Sequence, residues 1–232
     1  MRFRLALSIL ALLIFCSTPT VAQRVNYPEV SFGYSPIFDV TCAELTKQSI
    51  EPAAITELND RLDSFRESWL KEAPQLFKTT VKLTKVPFQF RETRAALSLC
   101  RGFPSMSDPL LINVRFFLAA TRGKNVAPMT QFSNLVFHEI LHRYVSDRIK
   151  VLPNKTTPLL TKYRDEPLPV RNHLHLYAIM NEVYRKLERQ KDLDAVIAWE
   201  QTLKSAPITK RAREIVDKEG AANLIGEIRK SR

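Results

Sequence analysis

One segment limits the fold more than any other. From Thr130 to about Lys150 the chain carries Phe132, Leu135, Val136, Phe137, Ile140, Leu141 and Val145. At about 100° per residue these point around most of a helix. A helix apolar on nearly every side belongs inside a protein, with other elements packed around it. Thr130 or Ser133 is placed to cap its start. The same helix carries His138-Glu139-Ile140-Leu141-His142, the pattern HExxH. Buried polar groups need partners. Histidines at i and i+4 stack on one helical face, where two imidazoles can share one metal ion. Glu139 falls one step round, beside such an ion rather than on it, and can take a proton from water there. The metal expected is Zn2+, with His138 and His142 as ligands and Glu139 as the catalytic base.

A catalytic zinc takes three protein ligands and leaves a position for water. The continuation HExxHxxGxxH is absent, because Val145 stands where Gly belongs and Arg148 where the third His belongs. The third ligand must come from farther along. A second amphipathic helix, Val170 to Gln190, offers His173, His175 and Glu182. With His173 set at 0°, the core-facing Leu176, Ile179, Met180, Val183 and Leu187 fall between roughly 240° and 340°. His173 borders that stripe, whereas His175 and Glu182 lie on its far margin near roughly 180–200°. A ligand has to face inward, which favours His173 and leaves His175 and Glu182 as alternates or as supports for a ligand.

HEILH resembles the zincin metallopeptidases. Two helices, the second bringing a ligand some thirty residues after the first, resemble the gluzincin plan; the likeness covers about Leu110 to Leu187. Gluzincins usually take their third ligand from NExx[SED]. Asn181-Glu182 resembles its start, but Arg185 stands at its last position, so the choice among the three candidates stays open. HEILHRYV followed by RNHLHLYAIMNEVY is also similar to uncharacterised exported bacterial proteins. The resemblance implies a zincin-like fold and peptide-bond hydrolysis. It further implies an edge strand above the active-site helix that pairs with extended substrate, for which Leu110 to Leu118 is the candidate by position.

The remaining pattern predicts an α+β chain, mostly α. Arg24 to Asp39 lacks periodicity and reads as an extended N-terminal segment. Cys42 to Lys71 has Leu45, Ile55, Leu58, Leu62, Phe65 and Leu70 at helical spacing, split near Pro52. Thr79 to Phe90 alternates like a strand, with Pro87 at an edge or break. Leu110 to Leu118, rich in β-branched and aromatic residues, is the strongest strand. Val151 to Pro169 reads as a surface loop, and Leu193 to Leu203 and Ile208 to Ile228 as further helices. The expected fold is a small mixed or antiparallel sheet packed on the HExxH helix. It forms one domain over residues 23–232, with an α/β part to about residue 150 and a helical part from about residue 151.

Met1 to Ala22 reads as a signal peptide. Arg2 and Arg4 precede the apolar run Leu5 to Phe15, and Thr20-Val21-Ala22 offers small residues for cleavage. The run is short for a membrane span, and bulky Phe15 precedes Cys16, so neither a stable membrane anchor nor lipidation is expected. Export to the periplasm or beyond would favour a disulfide between Cys42 and Cys100. The formal net charge of +11 falls to +9 without Arg2 and Arg4. The basic residues are scattered rather than clustered with aromatics, so nucleic acid is not an expected partner. No glycine-rich nucleotide loop occurs among the 5 glycines. Two function classes follow. The first is an exported zinc-dependent hydrolase, a metallopeptidase acting on peptide or protein, including cell-wall-associated substrate. The second is a non-catalytic envelope protein with a structural zinc site or a basic surface for anionic polymers. No residue pattern identifies substrate-binding residues.

Overall fold

A computed structural model describes residues 27–101, 105–149 and 157–231. The expected leader, including Cys16, lies outside the described residues. In chain order the elements are β1 (Glu29–Tyr34), α1 (Pro36–Thr46), α2 (Pro52–Asp60), α3 (Leu62–Thr84), β2 (Glu92–Ser98), β3 (Met106–Ser107) and β4 (Leu110–Asn113). After a 3-10 turn at Arg115–Phe117 come α4 (Ala119–Arg122), α5 (Met129–Ser146), α6 (Pro158–Lys162) and α7 (Leu168–Lys186). Helices α8 (Gln190–Glu200), α9 (Ala206–Glu219) and α10 (Ala221–Lys230) complete the chain. It is a mostly helical α+β architecture with one small mixed sheet.

Helix α5 is the internal helix that the apolar pattern demands. Its buried residues include Phe132, Val136, Phe137, Ile140, Leu141, Tyr144 and Val145. It packs against α3 on one side and α7 on another, with β3, β4 and α8 closing further faces. Its start differs from expectation: Pro128 precedes the first turn, with no side-chain cap. Ser133 faces α3 instead, where its hydroxyl meets that of Ser68 at 2.9 Å. Tyr144 anchors the other end, donating to the Val86 carbonyl at 2.9 Å and meeting the Thr84 hydroxyl at 2.6 Å.

The sheet order is β1-β2-β4-β3, parallel between β1, β2 and β4 and antiparallel between β4 and β3. Two strand expectations are corrected here. Leu110 to Leu118 is a strand only as far as Asn113, and it lies between β2 and β3 rather than at an edge. All four of its residues are buried, which explains the continuous apolar run. The edge on that side is β3. Thr79 to Phe90 is not a strand. Its first residues are the last turns of α3, whose buried positions Leu76, Phe77, Thr80 and Thr84 keep helical spacing. The hydroxyls of Thr80 and Thr84 donate to the carbonyls four residues back, each at 2.8 Å, so threonine suits this buried face. Phe88 lies in the loop beyond, against Tyr144 at 4.6 Å between ring centroids. The apparent alternation joined a helix end to a loop.

The N-terminal segment is extended only through β1. Pro36 then opens α1, which the lack of periodicity hid. The described part of Val151 to Pro169 is not all loop, because Thr157 caps the short α6 by accepting from Leu160 N at 3.4 Å. Ile208 to Ile228 forms two helices, divided at Gly220, whose φ of 81° favours glycine.

Cys42 and Cys100 form a disulfide with their Cα atoms 5.9 Å apart, joining α1 to the end of β2. The buried Asp39 reinforces the same junction, accepting from Leu99 N at 2.9 Å and Ser98 Oγ at 2.6 Å. Closing a loop of 58 residues is worth about 4 kcal/mol in the chain-entropy model. Thiol titration of denatured, unreduced protein lacking the leader is expected to find neither cysteine free. Two free thiols per chain would contradict the bridge.

Candidate metal centre

The buried core of α5 and the facing side of α7 bring the histidines together. His138 and His142 are one turn apart on α5, with their Nε2 atoms at 3.2 Å. The His173 ring lies 5.1 Å from that of His138 and 4.6 Å from that of His142, centroid to centroid. One ligand atom from each of these 3 residues lies within 4.8 Å of the others. His173 is further fixed from behind. Its Nδ1–H donates to the Pro169 carbonyl at 2.6 Å, one turn earlier, leaving Nε2 as the free donor atom.

The other two candidates are elsewhere. His175 is 1% exposed, with its Nε2 2.7 Å from Glu227 of α10. The helical-wheel expectation that it borders the core at a far margin is corrected accordingly. Helix α7 is covered by α5 on one side and by α9 and α10 on the other, so it has two buried faces and His175 occupies the second. Glu182 is held by Arg185 at 3.0 Å on the outer part of α7. Neither joins the cluster of His138, His142 and His173.

Electrostatics favour neutral imidazoles. Burial lowers His138 well below its ordinary 6.5, helped by the neighbouring His142, His173 and Arg213. Burial and the closeness of His173 bring His142 down to about 3, and burial lowers His173 as well. A neutral imidazole with a lone pair turned inward is the form that binds a metal. Glu139 is buried beside them, and desolvation pushes its carboxyl up to about 8. The donor set, the inward-facing nitrogens and the brace on His173 together fit a divalent ion with nitrogen affinity.

These shifts set a pH dependence for the metal-free protein. Below 6.5 the unfolded imidazoles take up protons that the folded ones refuse, so the stability contributed by these histidines falls as pH falls. Glu139 acts with the opposite sign. Between 4.5 and about 8 the folded state holds a proton that the unfolded chain has lost, so its contribution falls as pH rises. The two contributions oppose one another, the histidines' falling towards acid and the carboxyl's towards alkali. Denaturant unfolding of chelator-treated protein should lose stability towards alkali less steeply in Glu139→Gln than in wild type. A wild-type alkaline limb no steeper than that of the variant would contradict it.

Behind the histidines lies a buried polar group that the sequence pattern did not reveal. Tyr177, one turn after His173, has its ring 5.2 Å from the His173 ring and 5.7 Å from that of His138. The Arg213 guanidinium stacks on the Tyr177 ring at 3.9 Å. Tyr177 donates to Glu200 Oε1 at 3.2 Å, and Arg213 Nε donates to Glu200 Oε2 at 3.0 Å. Arg213 also donates to Asn181 Oδ1 at 2.9 Å. The i, i+4 spacing of His173 and Tyr177 is a sequence signal for a shared face. No spacing rule pairs Glu200 with Arg213, which come from different helices.

The cluster opens into a cavity of about 1040 Å3. His138, Glu139, His142, His173, Tyr177 and Glu200 all contribute to its lining. Ser105, the β3 edge residues Met106 and Ser107, and Asp108 line it as well. No helix among the described residues is long and apolar enough to cross a membrane. Comparison of the chain with protein-family models, curated proteins and solved structures finds no significant match.

Proposed function

We propose that the protein is an exported zinc-dependent hydrolase that cleaves amide bonds in peptide or protein. The observation that carries this reading is the meeting of His138, His142 and His173 within 4.8 Å at a cavity that Glu139 also lines. When bound, zinc supplies a Lewis acid that makes water nucleophilic near neutral pH and polarises a carbonyl oxygen. His138, His142 and His173 would hold it. Beside a divalent cation the Glu139 carboxyl is expected to ionise, since a nearby positive charge favours the charged form. Glu139 then accepts a proton from the attacking water and passes it to the leaving amine nitrogen. Pro169 keeps the His173 ring oriented, and the Arg213–Glu200 pair keeps Tyr177 packed against two of the imidazoles.

The short β3 edge, rather than β4, is the strand that borders the cavity at a sheet edge. In this reading it receives extended substrate backbone by strand addition. The competing reading is a structural metal in a non-catalytic envelope protein. Such a site normally closes with a fourth protein ligand. Among the described residues the cluster holds 3 candidate ligands, and the buried Glu139 carboxyl stands next to it. Hydrolysis of a peptide mixture by wild type is expected to stop on chelation and return with added zinc. A zinc-loaded protein inert on peptides, denatured proteins and cell-wall fragments would favour the structural reading instead.

A further inference from the structure

The cavity has a second face that the proposed chemistry does not use. Phe116, in the turn after β4, and Trp199, at the end of α8, meet edge to face with centroids 5.5 Å apart and an interplanar angle of 89°. Both rings are only half-buried and both line the cavity. They also line a second cavity of about 470 Å3 on their other side. The two rings stand between the cavities, with the Arg122 guanidinium over Phe116 at 5.6 Å. Being only half-buried, the rings keep accessible surface against which an apolar group gains dispersion contacts.

The two rings and the histidine cluster line the same cavity. Leu135 lies one turn before His138 on α5, on the same side of the helix, and lines the cavity half-buried. Trp199 is bonded to Glu200, which accepts the Tyr177 hydroxyl, and the Tyr177 ring packs on His173. The Glu200 carboxylate beside Trp199 is already paired with Arg213. Arg122 stands over the Phe116 ring at 5.6 Å and Lys204 lines the same cavity, so a cationic side chain would meet like charge here, and any charged group would lose hydration against the rings.

We propose that this aromatic corner is the specificity pocket of the site, and that it takes a large uncharged apolar side chain, aromatic by preference, next to the amide bond that is cut. The proposal rests on the hydrolase reading for the word "cut" but not for the binding. It is tested on the zinc-loaded Glu139→Gln protein, which holds substrate without turning it over. Capped tripeptides with Phe, Ala, Asp or Lys at the centre are titrated by calorimetry. The chain has 2 tryptophans, and Trp69 is 1% exposed, so Trp199 is the accessible fluorescent reporter.

The Phe peptide should bind about tenfold or more tightly than the other three, as burial of one aromatic side chain implies, and should change the tryptophan emission. Trp199→Ala should erase the preference while zinc content stays unchanged. Trp199→Phe, a milder change, should keep the preference and lose the emission signal. Equal binding of the four peptides, absence of binding, or a preference that survives in folded Trp199→Ala would overturn the proposal. Wild-type turnover separates the two ideas. Selective binding without cleavage keeps the pocket and removes the hydrolase reading. Cleavage without side-chain preference does the reverse.

Discussion

Glu139→Gln is expected to fold, keep its zinc and lose about two to four orders of magnitude in turnover, the range assigned to a positioned general base. Three features make the effect large and confine it to chemistry. Glu139 is 6% exposed and lines the cavity, so the substitution changes a group at the reacting face. Glutamine matches its shape and nearly all its volume, so packing against α5's neighbours is preserved. The amide also replaces a carboxyl that burial pushes up to about 8 in the metal-free protein, so folding should not suffer from losing a charge there. The measurement is turnover of a peptide that wild type cleaves, with metal content determined on the same samples. Full activity in the variant would refute Glu139 as the base whatever the metal content.

Much of the site was legible because one helix face carries it. HExxH on an otherwise apolar segment places two imidazoles together, and α5 is buried as its pattern requires. Helical angle separates His173 from His175, but angle alone is incomplete here. The angle assumed one buried face on α7, whereas α9 and α10 bury a second, which holds His175 against Glu227. Less legible were features made by long-range assembly. Nothing local marks Glu92–Ser98 as the central partner of β1 and β4, because only Ala95, Leu97 and Ser98 in it are fully buried. Residues Thr80 and Thr84 obscured the end of α3, since their hydroxyls satisfy themselves within the helix and so tolerate burial. The Tyr177–Glu200–Arg213 group joins three helices, and only packing shows that an arginine and a glutamate in amphipathic segments face one another.

Loss of the metal on removing any one imidazole is the other large effect expected. Each of His138, His142 and His173 contributes one donor atom, and two imidazoles alone hold zinc far more weakly than three in a preorganised cluster. His173 is the informative member, because it comes from a different helix and from outside the HExxH pattern. His175→Ala and Glu182→Ala serve as the matched comparisons: both are on α7, and both side chains point into other contacts. The direct measurement is zinc content after equilibrium dialysis of wild type and these variants, with folding checked by circular dichroism. Wild type, His175→Ala and Glu182→Ala should each retain one zinc ion per chain, while His138→Ala, His142→Ala and His173→Ala retain none. Stoichiometric zinc in His173→Ala, or its loss in folded His175→Ala or Glu182→Ala, would contradict the three-histidine centre.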